Sequence, residues 1–177
     1  MGRWKFAKMN NPQDQGCGLF VVMGVSGCGK STVASMLALR TGGVFLDADD
    51  FHPPENKAKM AASIPLCDAD RWGWLALLNH ELKRLETSGK YVFLACSALR
   101  QVYRDRLSID LPGLRFIYLK GSRDLILGRM QSRHNHFMPS SLLDSQFATL
   151  EEPNEAITVP IDEPTPTIVD LLLREIS

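Results

Sequence analysis

Gly24-Val25-Ser26-Gly27-Cys28-Gly29-Lys30-Ser31 stands between the apolar run GLFVVM (18–23) and the helical pattern STVASMLAL (31–39). The octet has the spacing G-x-x-x-x-G-K-[ST]. In this pattern the glycines leave room for main-chain amides to wrap a chain of phosphates. Lys30 can reach the outer phosphates and Ser31 can ligate Mg²⁺. A strand before the loop and a helix after it put those phosphates on the positive end of a helix. The nucleotide-binding set read from the loop is Gly24, Val25, Ser26, Gly27, Cys28, Gly29, Lys30, Ser31 and Thr32. The alternative reading is a glycine-rich turn without a ligand.

Working outward, further short apolar runs occur at GVFL (43–46), YVFLAC (91–96), LRFIYL (114–119) and, more weakly, AITVPI (156–161). Continuous apolar runs of this length suit strands covered on both faces. Between them the period lengthens: Leu75, Leu78, Leu82 and Leu85 recur at helical spacing within 70–88, and Gly89 offers a stop. Ser122 or Asp124 can open the next helix, Pro139 and the serines after it another, and Pro164 and Pro166 precede a last helix running to Leu173. Strand and helix alternating about five times predict an α/β sandwich around a parallel sheet. Residues 1–16 read as a loose extension and 17–177 as one domain.

Composition narrows the function. The 20 Lys and Arg balance 20 Asp and Glu, so the basic excess of a nucleic-acid binder is missing. No stretch of the sequence reaches the ~20 apolar residues of a membrane span. Cys17, Cys28, Cys67 and Cys96 have neither zinc spacing nor a paired C-x-x-C, and read as reduced thiols of a cytoplasmic protein. His134 and His136 lack a third nearby ligand for zinc.

A nucleotide site with Mg²⁺ needs a second carboxylate at the end of a neighbouring strand. Only GVFL runs into acids, at Asp47, Asp49 and Asp50. In a parallel sheet such strand ends share an edge with the phosphate loop. Asp47 and Asp49, two apart in an extended segment, are expected to point the same way toward metal or acceptor. The competing reading is an ordinary acidic surface loop. A guanine-reading Asn-Lys-x-Asp is missing, since Asn56-Lys57-Ala58-Lys59 lacks the acid, which argues against a GTP switch.

The strings GVSGCGKST, LDADDFHPPENKAKM, PLCDADRWGWL, CSALRQVYRDRL, FIYLKG and QFATLEEP together resemble the gluconokinases of the small P-loop kinases, relatives of shikimate kinase and the nucleoside monophosphate kinases. The likeness runs from Phe20 to the C-terminus. It implies a P-loop NTPase-like three-layer α/β sandwich with a five-stranded parallel sheet, a helical substrate-binding region after the second strand, and a mobile lid near 133–140. It also implies transfer of the γ-phosphate of ATP to the 6-hydroxyl of gluconate, with ATP and Mg²⁺ required, and a homodimer. Three positions depart from the family pattern: Cys28 in the loop, Arg100 where Lys is common, and Asp50 as a second acid beside Asp49. Alignment on His52-Pro53 favours Asp49 as the base.

Gluconate carries one carboxylate and several hydroxyls. Arg71 is the first candidate for the carboxylate, because a guanidinium grips it with two parallel hydrogen bonds. The alternative is a salt bridge from Arg71 to Asp68 or Asp70. His52, Lys59 and Arg100 are further candidates for hydroxyls or carboxylate. Arg129 and Arg133, four apart and so on one helix face, are expected to meet the phosphates, with Arg129 catalytic and His136 a lid contact to substrate. A solvated basic face is the other reading of that pair. Lys30, Asp49 and Arg129 form the expected catalytic set, and Ser31 and Asp47 the metal set. Gln146 and Glu151 lie in a family string, but spacing assigns them no mechanism. Two further functions stay open: a kinase for another acceptor, such as shikimate or another sugar acid, and a nucleotide-binding regulatory protein without turnover.

Overall fold

The computed structural model describes residues 16–62, 64–131 and 140–176. Strands β1 (Gly18–Met23), β2 (Val44–Asp47), β3 (Tyr91–Ala95), β4 (Leu114–Lys120) and β5 (Ala156–Pro160) form one parallel sheet in the order β2-β3-β1-β4-β5. Successive side chains of a strand point to opposite faces. Along β1, Phe20 and Val22 therefore enter one core while Leu19, Val21 and Met23 enter the other. Both faces are covered, which is why the run shows no polar alternation.

On the Phe20 face pack α1 (Lys30–Thr41), α5 (Arg123–Gln131), α6 (Ser140–Thr149) and α7 (Thr165–Ile176), through Val33, Leu37, Ile126, Leu143, Val169 and Leu172. On the other face lie α3 (Asp68–Glu86) and α4 (Gln101–Ser108), through Trp74, Leu75, Leu78, Leu82, Tyr103 and Leu107. Leu37, Leu75 and Leu82 are wholly buried, each worth about 1.5–3 kcal/mol of apolar transfer. The short α2 (Pro54–Ala61) sits between β2 and α3 in the chain.

The element ends follow local chemistry. Gly42, in the left-handed region, ends α1 with its N–H on the Ala38 carbonyl. Asp70 reaches back to the Cys67 N–H at 2.9 Å and opens α3. Ser122 Oγ accepts from the Leu125 N–H and opens α5.

Two expectations shift. Helix α7 starts at Thr165 and runs to Ile176, so Pro166 lies inside its first turn, where a missing N–H breaks no intrahelical bond. Strand β2 ends on Asp47, and Asp49 lies in a 3-10 turn, Ala48–Phe51, rather than in an extended segment. The period-2 argument for Asp47 and Asp49 therefore does not apply. Their relation comes instead from Asp47 Oδ1 accepting the Asp49 N–H at 3.1 Å, which caps that turn.

Among the described residues no helix is long and apolar enough to cross a membrane.

Candidate active site

Strand β1 lies between β3 and β4; the chain runs from β1 to β2 on one side and later crosses from β3 to β4 on the other, which opens a crevice at the strand ends. The loop Gly24–Gly29 occupies that crevice and turns into α1 at Lys30. Its path needs glycine. Gly27 has φ +83°, and a Cβ there would stand 2.7 Å from Met130 Cγ. Gly24 has φ +140°, and a Cβ would meet Cys28 Sγ at 2.9 Å and the Leu119 carbonyl at 3.0 Å. Among the described residues the amides of Gly27, Gly29, Lys30 and Ser31 donate to no protein acceptor. They are the orphan donors of a loop and helix start, aimed where an anion is stabilised.

A cleft of about 290 Å³ runs from this loop to the end of β2, lined by Lys30, Ser31, Thr32, Asp47 and Asp49 among others. Ser31 Oγ donates to Asp47 Oδ2 at 2.7 Å, and Lys30 Nζ rests on the Val25 carbonyl at 3.0 Å. Asp49 extends into solvent with its side chain 83% exposed, 3.9 Å from His52 Nε2. The cleft wall also holds Cys96 and Ser97 from the end of β3. Burial pushes the Cys96 thiol up to about 12 and raises that of Cys28. Both are thus neutral packing groups rather than nucleophiles. A larger hollow of about 430 Å³ beneath α4 contains no residue of the loop.

The helical wall beside the cleft is a network of ion pairs. Tyr103 is buried; its hydroxyl donates to Asp68 Oδ1 at 2.6 Å and accepts from Arg71 at 3.1 Å. Asp68 Oδ2 takes Arg100 at 2.6 Å. Both guanidiniums stand 5.4 Å from the Tyr103 ring centre, a cation–π arrangement. The Tyr103 hydroxyl first, then Arg100, hold the Asp68 carboxyl below its usual range. Arg71 is only 3.8 Å from Asp68 Oδ1, so the strong partner of Asp68 is Arg100. Lys59 is paired with Asp70 at 2.6 Å, and this contact leads in holding Asp70 at about 2. His52 is buried, stacked on Trp74 at 4.2 Å and next to Asn56 at 3.4 Å. Desolvation, against the pull of Asp49, holds its imidazole below the ordinary value. Arg129 donates to the Ile161 carbonyl just after β5. Arg133 and His136, and with them most of the expected lid, lie outside the described residues.

Three residues act here without having been assigned a role from sequence. Arg104, buried, donates to the Ala98 and Leu99 carbonyls at 2.9 and 3.1 Å. It thereby holds the turn after β3, where Ala98 has φ 42°. Glu151 accepts the Gln101 N–H at 2.6 Å and caps α4. Gln146 meets the phosphate loop at Ser26. The string QFATLEEP carries the last two, but nothing in its spacing shows which distant segment each one meets.

Residues 26–156 match the shikimate kinase family model. The chain is 43% identical to a probable gluconokinase of Mus musculus, covering 90% of this chain and 98% of that protein. It is also 43% identical to the thermoresistant gluconokinase of Escherichia coli K12, covering 85% and 89%. The chain belongs to the gluconokinase family. A gluconokinase crystal structure from Sinorhizobium meliloti superposes with TM-score 0.82 at 44% identity, covering 90% of this chain and 91% of that one. A shikimate kinase from Bacteroides thetaiotaomicron, at 16% identity and TM-score 0.66, shares the fold. Family membership accounts for the parallel sheet, the phosphate loop and the kinase activity together.

Proposed function

We propose that the chain transfers the γ-phosphoryl group of ATP to the 6-hydroxyl of D-gluconate, giving 6-phospho-D-gluconate and ADP. The observation that carries this is the Ser31–Asp47 contact of 2.7 Å beside Lys30, with Asp49 on the same cleft. The free amides of the loop and Lys30 receive the phosphates. The Ser31 hydroxyl and Asp47 carboxylate are hard oxygen donors suited to Mg²⁺, which keeps few protein ligands and shares the phosphate oxygens. When bound there, the ion would offset charge on the outer phosphates.

Asp49 accepts the proton as the 6-oxygen bonds to the γ-phosphorus and the bond to the ADP oxygen breaks. Its exposed carboxylate at the cleft mouth has room for an incoming alcohol. Arg71 takes the gluconate carboxylate, because among the described residues its guanidinium hydrogen-bonds the Tyr103 hydroxyl and stands 3.8 Å from Asp68, leaving donors for a ligand. Arg100, Lys59 and His52 shape the wall, the first two through their carboxylate partners and His52 through its stack on Trp74. Arg129 offsets phosphate charge from the α5 side, joined in this reading by Arg133, with His136 on the substrate. A cytoplasmic homodimer is the proposed setting. The four cysteines are free thiols, as a reducing compartment keeps them.

Incubating the purified protein with ATP, Mg²⁺ and gluconate should yield 6-phosphogluconate by mass spectrometry. ATP binding without product from gluconate, shikimate or other sugar acids would instead identify a nucleotide-binding protein without turnover.

A further inference from the structure

Gln146, on α6, makes a two-point contact with the phosphate loop 120 residues away in sequence. Its Oε1 accepts the Ser26 N–H at 2.6 Å, and its Nε2 donates to Ser26 Oγ at 3.1 Å. Ser26 is the third residue of the octet, and its amide is held by a side chain, while those of Gly27, Gly29, Lys30 and Ser31 have no acceptor among the described residues. The Gly24 and Cys28 amides bond main-chain carbonyls, at Ser97 and Val25, so Ser26 is the loop amide anchored by a side chain, and those four are left for an anion. Helix α6 is itself tied to α5, because Asp144 accepts two bonds from Arg123.

The choice of side chain is informative. A carboxamide offers an acceptor and a donor in one plane, and so satisfies both the N–H and the hydroxyl of Ser26. A carboxylate could accept from both but would place a negative charge beside the phosphate chain. A lysine could not accept at all. Only a neutral group with both functions fixes this peptide without repelling a polyanion.

We infer that Gln146 is a positioning residue for the phosphate cradle: it holds the Ser26 peptide so that the following amides face the nucleotide. This rests on the ATP-binding reading of the loop.

Gln146→Ala should raise the KM for ATP about tenfold, the scale of one lost hydrogen bond to a partly buried amide. The KM for gluconate should stay within about twofold, because the substrate wall is not involved. Gln146→Glu keeps the acceptor and adds a charge. Its KM for ATP should be raised at low ionic strength and fall toward wild type as salt screens the repulsion. A purely structural role would give a salt-independent defect of both substrates. Calorimetric binding of MgADP to the full chain, without gluconate, separates the two readings. If wild type fails to bind MgADP, the nucleotide reading of the loop fails. If wild type and Gln146→Ala bind it equally, the inference about Gln146 is overturned while that reading stands. An unchanged ATP KM in Gln146→Ala, or a Gln146→Glu defect indifferent to salt, overturns it as well.

Discussion

The Tyr103 hydroxyl bridges Asp68 and Arg71, donating to the first at 2.6 Å and accepting from the second at 3.1 Å. It thereby sets the position of the guanidinium assigned to the gluconate carboxylate, although Tyr103 lies on α4 and Arg71 on α3. Replacing Tyr103 by Phe keeps the ring beneath both arginines and removes only this bridge. The KM for gluconate should rise roughly five- to tenfold, the worth of a hydrogen bond to a charged group. The KM for ATP should stay near wild type. Arg71→Ala should raise the gluconate KM at least tenfold. Steady-state kinetics with each substrate varied in turn checks both. Equal effects on the two substrates would mean that the bridge serves the fold alone.

Lys30→Ala and Asp49→Asn should each lower kcat by about a hundredfold or more, as expected on losing a charge-stabilising or proton-accepting group. Single-turnover phosphorylation of gluconate is the measurement. Near wild-type turnover in Asp49→Asn would move the proton acceptor elsewhere, with Asp50→Asn as the variant to compare.

Asp47 orients Ser31 through their 2.7 Å contact. Asp47→Asn or Ser31→Ala should therefore raise the Mg²⁺ concentration for half-maximal rate about tenfold or more, as losses at ligands and their orienting partners do. Titrating Mg²⁺ at saturating ATP tests it, and an unaltered Mg²⁺ dependence in both variants would remove this pair from the metal set.

His52 is held neutral by burial against Trp74. Its folded-state pKa is depressed below 6.5, so the unfolded chain binds its proton first as pH falls. Stability from this group is therefore unaffected above pH ~6.5 and declines as pH drops from there through the folded value. The imidazole signals in an NMR titration should show a midpoint below 6.5. His52→Gln should flatten the fall of the melting temperature across that range. A midpoint at or above 6.5 would contradict this account.

Much of this protein was legible in the chain because the signals are local. Five apolar runs, the octet before a helix and the acids closing GVFL each depend on neighbours within a few residues. The strands formed within one or two residues of their expected ends, and Ser122 opened its helix as a side-chain cap. Local chemistry also misleads twice: Pro166 reads as preceding the last helix but lies in its first turn, and the acids after GVFL read as extended. Asp47 and Asp49 were expected to align through an extended backbone, whereas a 3-10 turn begins at Ala48 and Asp47 caps it.

What tertiary structure alone decided is which distant groups meet. Gln146 on the Ser26 amide, Glu151 on the Gln101 amide, and Tyr103 between Asp68 and Arg71 join residues separated by 120, by 50, and by 35 and 32 positions. Hydrophobic periodicity says that a helix will cover a sheet, because burial of apolar area has no direction. Hydrogen bonds are directional and short, so their partners are chosen only after the layers have stacked in register. The phosphate loop was therefore visible in one dimension, and the residues that hold it and its substrate wall in place became visible in three.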